Sequence, residues 1–302
     1  LTSIEKSAFS FTSFNTIVIP KHVKKIGERA FYRSDRLKSV VLSEDSELCT
    51  IGKDAFAYTS IESLFIPAGV KVIKEGWCSH TPKLTNIKIS EQNKYFSYLD
   101  NQMIISRNNE KQNYYDNIIF ARRDITEVEI PNYIRTIKSY SFCECCKLKR
   151  IQITKESSLE TIEEGAFIKT SIEELYFPSK LKELKDGWCK HTSKLQRITI
   201  SPDNEHFILH SNEYLIKRYD ESDDEYDYLI FANRNIKEAT IPNFIKRLGP
   251  YSFTWCKNLR TINFEENSKL CSIERCAFSK SSISNIIIPE NTKQIDERAF
   301  YK

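Results

Sequence analysis

The stretch Phe14-Asn15-Thr16-Ile17-Val18-Ile19-Pro20-Lys21-His22-Val23-Lys24-Lys25-Ile26-Gly27-Glu28-Arg29-Ala30-Phe31 decides the fold. It reads apolar-x-x-apolar-x-apolar-Pro, then Ile-x-x-x-Ala-Phe, and the same unit returns along the chain. Ile61-Glu62-Ser63-Leu64-Phe65-Ile66-Pro67 and Ile283-Ser284-Asn285-Ile286-Ile287-Ile288-Pro289 are two further first halves. Aromatic anchors recur with it: Phe9, Phe31, Phe56, Trp77, Phe142, Phe167, Trp188, Phe253, Phe278 and Phe300. Two intervals are long, Trp77 to Phe142 and Trp188 to Phe253; the others share one short period. A second, longer period maps Phe31 onto Phe142 and Phe253, Phe56 onto Phe167 and Phe278, and Trp77 onto Trp188. Nested periods of this kind are the signature of stacked-repeat architectures.

Within a unit, Val40 and Leu42 alternate with Ser39 and Val41, the period of a short strand. Pro or Ser then ends it, because Pro has no donor for a sheet ladder. A second apolar position follows (Ile26, Ile51, Ile137, Ile273), and the Ala-Phe segment predicts a short helical or 3₁₀ turn. Ala, Ser or Gly stands before the aromatic where neighbouring coils stack closely, and the ring fills the coil. One unit cannot cover its own apolar face, so stacking makes the fold. Strand triplets from Phe14 to Ile283 predict about eleven rungs in one array over residues 1–302. Each long interval holds one ordinary strand plus an insertion, near 93–121 and 204–232. Paired apolar runs there, such as Met103-Ile104-Ile105 and Ile118-Ile119-Phe120, predict β-hairpins projecting from the solenoid. Both ends of the chain cut across repeats, which reads as part of a longer protein.

Composition excludes several function classes. With 45 basic and 41 acidic residues interspersed, the net charge of +4 leaves no basic stripe for nucleic acid. No apolar run is long enough to span a membrane. The five His residues are scattered, none beside a nucleophile elbow, and seven Gly make no phosphate loop. Catalysis and cofactor binding are therefore not expected. Nine cysteines form no zinc-ribbon pattern and read as buried thiols; only the Cys143, Cys145, Cys146 group hints at redox or metal chemistry. Trp77-Cys78-Ser79-His80 recurs as Trp188-Cys189-Lys190-His191, but the copies lie about five rungs, roughly 25 Å, apart and cannot share an ion. The acidic tract Tyr219–Asp227 lacks EF-hand spacing and reads as a mobile hairpin tip, with a weak calcium site as the alternative. Hence no metal ligands are expected. No Asn-x-Ser/Thr sequon occurs, which leans against a glycosylating secretory route.

These motifs resemble the BspA-like, Treponema-type leucine-rich repeats. Thr16–Phe31 follows that pattern closely, and Asn93-Lys94-Tyr95-Phe96 and Asn204-Glu205-His206-Phe207 look like the family's Asn-x-x-Phe insertions. The resemblance implies a repeat solenoid of short parallel β-strands, short helical or 3₁₀ turns and two inserted β-hairpins. It implies a surface or secreted protein used in adhesion to host, matrix or other cells, and no catalytic residues.

Binding is expected on the outward residues of the strands. The column nearest the strand end includes Phe65, Lys88, Glu129, Gln152, Tyr176 and Thr199; its neighbour holds Glu127, Arg150, Glu174, Arg197 and Glu238. The alternating charges read either as a stabilising ladder or as a recognition stripe. Phe65 and Tyr176 read as exposed contact anchors, with Val18 and Val41 extending a small apolar patch. The expected function is a non-catalytic protein-interaction module for cell adhesion at the cell surface, with a host or matrix protein as partner. Alternatives are a cytoplasmic scaffold with an intracellular protein partner, or a glycan-binding surface.

Overall fold

The computed structural model describes residues 1–220, 222 and 224–301. Two residues of the acidic tract, Glu221 and Asp223, lie outside these. The fold is a parallel β-solenoid of the leucine-rich repeat type, with about 13 turns among the described residues. Its contacts form two compact units. One comprises Leu1–Thr126, Ile134–Leu148 and Ile162–Thr170; the other comprises Glu127–Tyr133, Lys149–Thr161 and Ser171–Lys302.

In the first unit, strands Thr16–Val18, Ser39–Val41, Ser63–Ile66 and Asn86–Ile89 pair in parallel with Thr16 opposite Ser39 and Ser63 opposite Asn86. A second ladder runs through Ser3–Ile4, Lys25–Ile26, Thr50–Ile51 and Val72–Ile73. Between the ladders lies the core. Phe31 stacks between Phe9 and Phe56 at 5.3 Å on each side, with ring planes within 8° of parallel. Ala30 and Ala55, just before these rings, are fully buried. In the second unit Phe278 stacks between Phe253 and Phe300 at 4.9 and 5.1 Å.

No helix occurs among the described residues; the expected helical segments are tandem β-turns. Around Phe31, Ala30 N–H donates to Gly27 O and Ser34 N–H to Phe31 O, while Arg29 and Arg33 adopt φ of 54° and 55°. A left-handed third residue is the mark of a type II turn. The intervening donors are spent on the next rung: Arg29, Phe31 and Arg33 N–H bond to Lys53, Ala55 and Ala57 O at 2.8–2.9 Å. A helix would consume those donors locally, so stacking decides against it.

The insertions do not project. In the first, Phe96–Leu99, Met103–Ser106 and Asn117–Ala121 form an antiparallel meander, and Asn117–Ala121 then pairs in parallel with Thr136–Ile137. Met103–Ser106 is buried throughout, and Phe120 joins the aromatic core 5.9 Å from Trp77. Tyr228–Ala232 repeats this in the second unit against Arg247–Leu248, with Phe231 5.9 Å from Trp188. The third strand of each insertion thus makes a turn of its own, which explains the count above eleven. These runs are apolar on both faces, and a buried strand is the only placement that covers both.

The Asn-x-x-Phe motif has a specific task. Asn93 Nδ2 donates to Pro67 O and Val70 O at 2.8 and 3.0 Å, while its Oδ1 accepts from Tyr95 and Phe96 N–H at 2.8 and 3.0 Å. Asn204 makes the same four bonds, to Pro178, Leu181, His206 and Phe207. Each Asn pins an insertion to the rung before it.

Candidate interaction surface

Outward strand residues stand in register within each unit. In the first, Val18 lies opposite Val41 and Phe65 opposite Lys88. Val18 is 67% exposed and Val41 44%, a contiguous apolar pair on an ordered strand face. Phe65, expected to be exposed, is half-buried: the Lys88 ammonium lies 5.8 Å from its ring centre, and that lysine also reaches Glu44 at 3.5 Å. An ammonium over a ring is attracted to its electron-rich face, by about 0.5–1 kcal/mol at exposed sites. Phe65 is therefore only partly open to a ligand, with the Lys88 ammonium beside its ring.

In the second unit Glu127 pairs with Arg150, Glu129 with Gln152, Glu174 with Arg197 and Tyr176 with Thr199. Tyr176 is half-buried; the others are exposed. Arg150 Nη1 lies 3.8 Å from Glu127 Oε2, and Arg197 forms an ion pair with Glu174. Strands Arg197–Ile200 and Glu238–Ile241 belong to different sheets, so the expected Arg197–Glu238 contact across a ladder does not form. The packed insertion takes the place that stacking in chain order would have given to Glu238. The charged column is thus two separate ion pairs. Around the second, Lys149, Arg150, Glu173, Glu174, Gln196, Arg197 and Asn235 line a concavity of about 550 Å³. It carries both charge signs within reach of one bound chain.

A second set of side chains, not found from the sequence, sits on the turn edge. Each rung there has a left-handed residue two positions after its Phe anchor, or three after Trp: Phe11, Arg33, Tyr58, His80, Glu144 and Lys169 in the first unit. Tyr58 stacks on His80 at 4.3 Å, His80 Nδ1–H donates to Glu144 Oε1 at 2.9 Å, and Lys169 Nζ donates to the same oxygen at 2.6 Å. Burial alone would raise the Glu144 pKa, but the His80 and Lys169 bonds outweigh it and hold the carboxyl down to about 2. The signal was present in the sequence as a fixed offset from the anchor. What hid it was the varied chemistry at that offset, since position and not residue type defines the column.

His80 and Glu144 meet because the inserted rung lacks this turn; no described residue between Asn101 and Tyr140 has positive φ. A buried guanidinium fills the gap. Arg123 donates to Ser141 O at 2.9 Å and Cys78 O at 3.3 Å, touches the Cys145 and Cys78 sulfurs at 3.8 and 3.7 Å, and covers Phe120 at 4.4 Å. Arg234 repeats the arrangement with Ser252 O, Cys256, Cys189 and Phe231. These thiols are inert: burial pushes Cys78 up to about 12 and Cys145 and Cys189 up to about 11, despite the neighbouring arginines.

Comparison with known families matches the BspA type leucine rich repeat region, in six copies, over residues 1–107, 113–211 and 225–302. This chain belongs to the BspA-type leucine-rich repeat family. The two unmatched stretches, 108–112 and 212–224, lie within the two insertions. Among solved structures, the BspA-type chain is similar to a leucine-rich repeat protein from Eubacterium ventriosum, at 21% identity over 99% of this chain and 80% of that one, with a TM-score of 0.60. It is similar to the pneumococcal vaccine antigen PcpA, at 21% identity over 99% of this chain and 67% of that one, TM-score 0.56. A leucine rich cell surface protein from Faecalibacterium prausnitzii matches at 21% identity over 100% and 74% of the two chains, TM-score 0.50. At these identities the likeness is one of fold. No curated protein matches the chain. Leucine-rich repeats are protein-interaction modules that work through extended stacked surfaces. Among the described residues no helix is long and apolar enough to cross a membrane.

Proposed function

We propose that this chain is a non-catalytic adhesion module, displayed at a cell surface, that recognises a host or matrix protein through its outward strand face. The observation that carries the reading is the outward strand face of each unit: in the first, Val18 beside Val41 and Phe65 beside Lys88; in the second, Glu129 beside Gln152 and Tyr176 beside Thr199, each next to the Glu127–Arg150 or Glu174–Arg197 ion pair. Half-buried aromatics flanked by exposed charges are the composition of contact anchors within a polar rim. Residues 1–302 would act as one repeat array, which the family match along nearly all of the chain supports. One structural relative, from Faecalibacterium prausnitzii, is a leucine rich cell surface protein, which supports the location.

Display is tested by protease shaving of intact cells that make the full-length protein. Loss of this segment is the expected result, and full protection would sink the reading. Binding is tested by Phe65→Ala with Tyr176→Ala, which should weaken capture of a matrix extract about 10-fold or more. Unchanged capture would remove the strand face from consideration.

A second reading, an intracellular scaffold, is favoured by one observation. All nine cysteines are free thiols, six of them buried. Of the other three, Cys146 is exposed and Cys49 and Cys271 are partly so, and accessible thiols persist best in a reducing compartment.

A further inference from the structure

The turn-edge cluster of the first unit brings together three different metal-ligating chemistries. Nitrogen of His80, the Cys143 sulfur and a Glu144 oxygen all lie within 4.8 Å of one another. The Cys143 side chain is fully buried, and those of Glu144 and His80 are 8% and 14% exposed. We propose that His80, Cys143 and Glu144 bind a thiophilic divalent cation, with Zn²⁺ the best match, clipping the turn edges on either side of the inserted rung.

Donor type and charge point to zinc. A mixed nitrogen, sulfur and oxygen set suits Zn²⁺ better than Ca²⁺ or Mg²⁺, which take oxygen ligands. One thiolate and one carboxylate neutralise the cation, while imidazole adds no charge. Tetrahedral zinc holds its ligands at about 2.0–2.3 Å, so the three donors must draw together by roughly 1 Å. Cys146 stands at the exposed mouth with its sulfur 3.8 Å from Glu144 Oε2, placed to supply a fourth ligand, or a water takes that position. Lys169 holds Glu144 in the metal-free form; its side chain is 47% exposed and has solvent to swing into.

The second unit provides an internal comparison. At the equivalent positions of the longer repeat, His191 is kept but Thr254 and Trp255 replace Cys143 and Glu144. There His191 packs edge-on against Trp255 at 5.3 Å, and Lys257, in the place of Cys146, lies 4.5 Å over that indole. The fold therefore closes this edge with an aromatic contact as readily as with the polar set. Stacking alone does not require His, Cys and Glu together.

The test is titration of the reduced, metal-free chain with Co²⁺, followed by competition with Zn²⁺. The expected result is one Co²⁺ per chain, with a thiolate-to-metal charge-transfer band and intense tetrahedral visible bands. Cys143→Thr, which installs the residue of the second unit, should weaken binding at least 100-fold, and together with Cys146→Ser should abolish the band. His80→Gln provides a second loss variant should that one misfold, as read by circular dichroism. Lys169→Met should tighten binding several-fold by freeing Glu144, an effect that a purely structural ion pair would not produce. Absence of the charge-transfer band overturns the proposal. So does a band that survives Cys143→Thr and His80→Gln but disappears with Cys49→Ser or Cys271→Ser.

Discussion

Replacing Asn93 by Ala removes four short hydrogen bonds, and a long one to Ala68 O, at a residue that is only 8% exposed. Val70 O and the Tyr95 and Phe96 amides lose these partners in a place water reaches poorly, while Pro67 O keeps only the Val70 N–H at 3.2 Å. At about 0.5–1.5 kcal/mol net per bond, the loss is roughly 2–6 kcal/mol, centred near 4. The insertion should then open more often, so amides in 93–106 should exchange with solvent faster. A loss of about 4 kcal/mol corresponds to roughly 1000-fold in the opening equilibrium. The assay is hydrogen exchange by mass spectrometry on that segment, with urea unfolding followed by tryptophan emission. Asn93→Asp keeps both accepted bonds but faces a carboxylate toward Pro67 O and Val70 O, so about half the loss or more is expected. Asn204→Ala should produce the same local loosening at residues 204–217. If Asn93→Ala costs under about 1 kcal/mol and exchange is unchanged, the pin is not what docks the insertion, and the account of the Asn-x-x-Phe motif fails.

Three further predictions bear on the rungs and on the candidate face. A Cβ at Gly52 would sit 2.5 Å from the Gly27 carbonyl carbon, about 1 Å inside ordinary carbon contact, so Gly52→Ala should cost about 1–3 kcal/mol in urea unfolding. Reversing the exposed pair with Glu174→Arg plus Arg197→Glu should restore the roughly 0.2–1 kcal/mol lost in either single variant, yet abolish capture if these charges recognise a ligand. Stability and capture moving together would mean that the pair is only a ladder. Burial raises the Asp54 carboxyl above its ordinary 3.8, against the pull of Arg29. The folded state therefore holds that proton to higher pH than the unfolded chain does. Stability falls as pH rises through the window between the two values, and the deficit persists at neutral pH. Asp54→Asn should raise the urea midpoint at about pH 7 and leave it nearly unchanged at about pH 3; a drop at about pH 7 would show that the Arg29 contact outweighs burial.

The repeat, its anchors and its outward columns were legible in the sequence because each depends on spacing alone. Phe31, Phe142 and Phe253 must recur where rings stack, and a strand of period two presents every second residue outward whatever its neighbours are. Even the extra turns left a trace: Phe120 precedes Phe142, and Phe231 precedes Phe253, by the same interval that separates Phe9 from Phe31. That trace was hidden because the rungs they anchor lack the Ala-Phe turn. The tertiary structure alone decided the rest. Whether a turn becomes a helix depends on donors claimed by the next rung, as Arg29 and Phe31 show. Whether an apolar hairpin projects or docks depends on what is there to cover it, as Met103–Ser106 shows. The meeting of His80 with Glu144, far apart in the chain, follows from a missing turn that only stacking reveals. Local spacing determines which residues share a column; the neighbours in that column are set by which segments of chain fill the space between rungs.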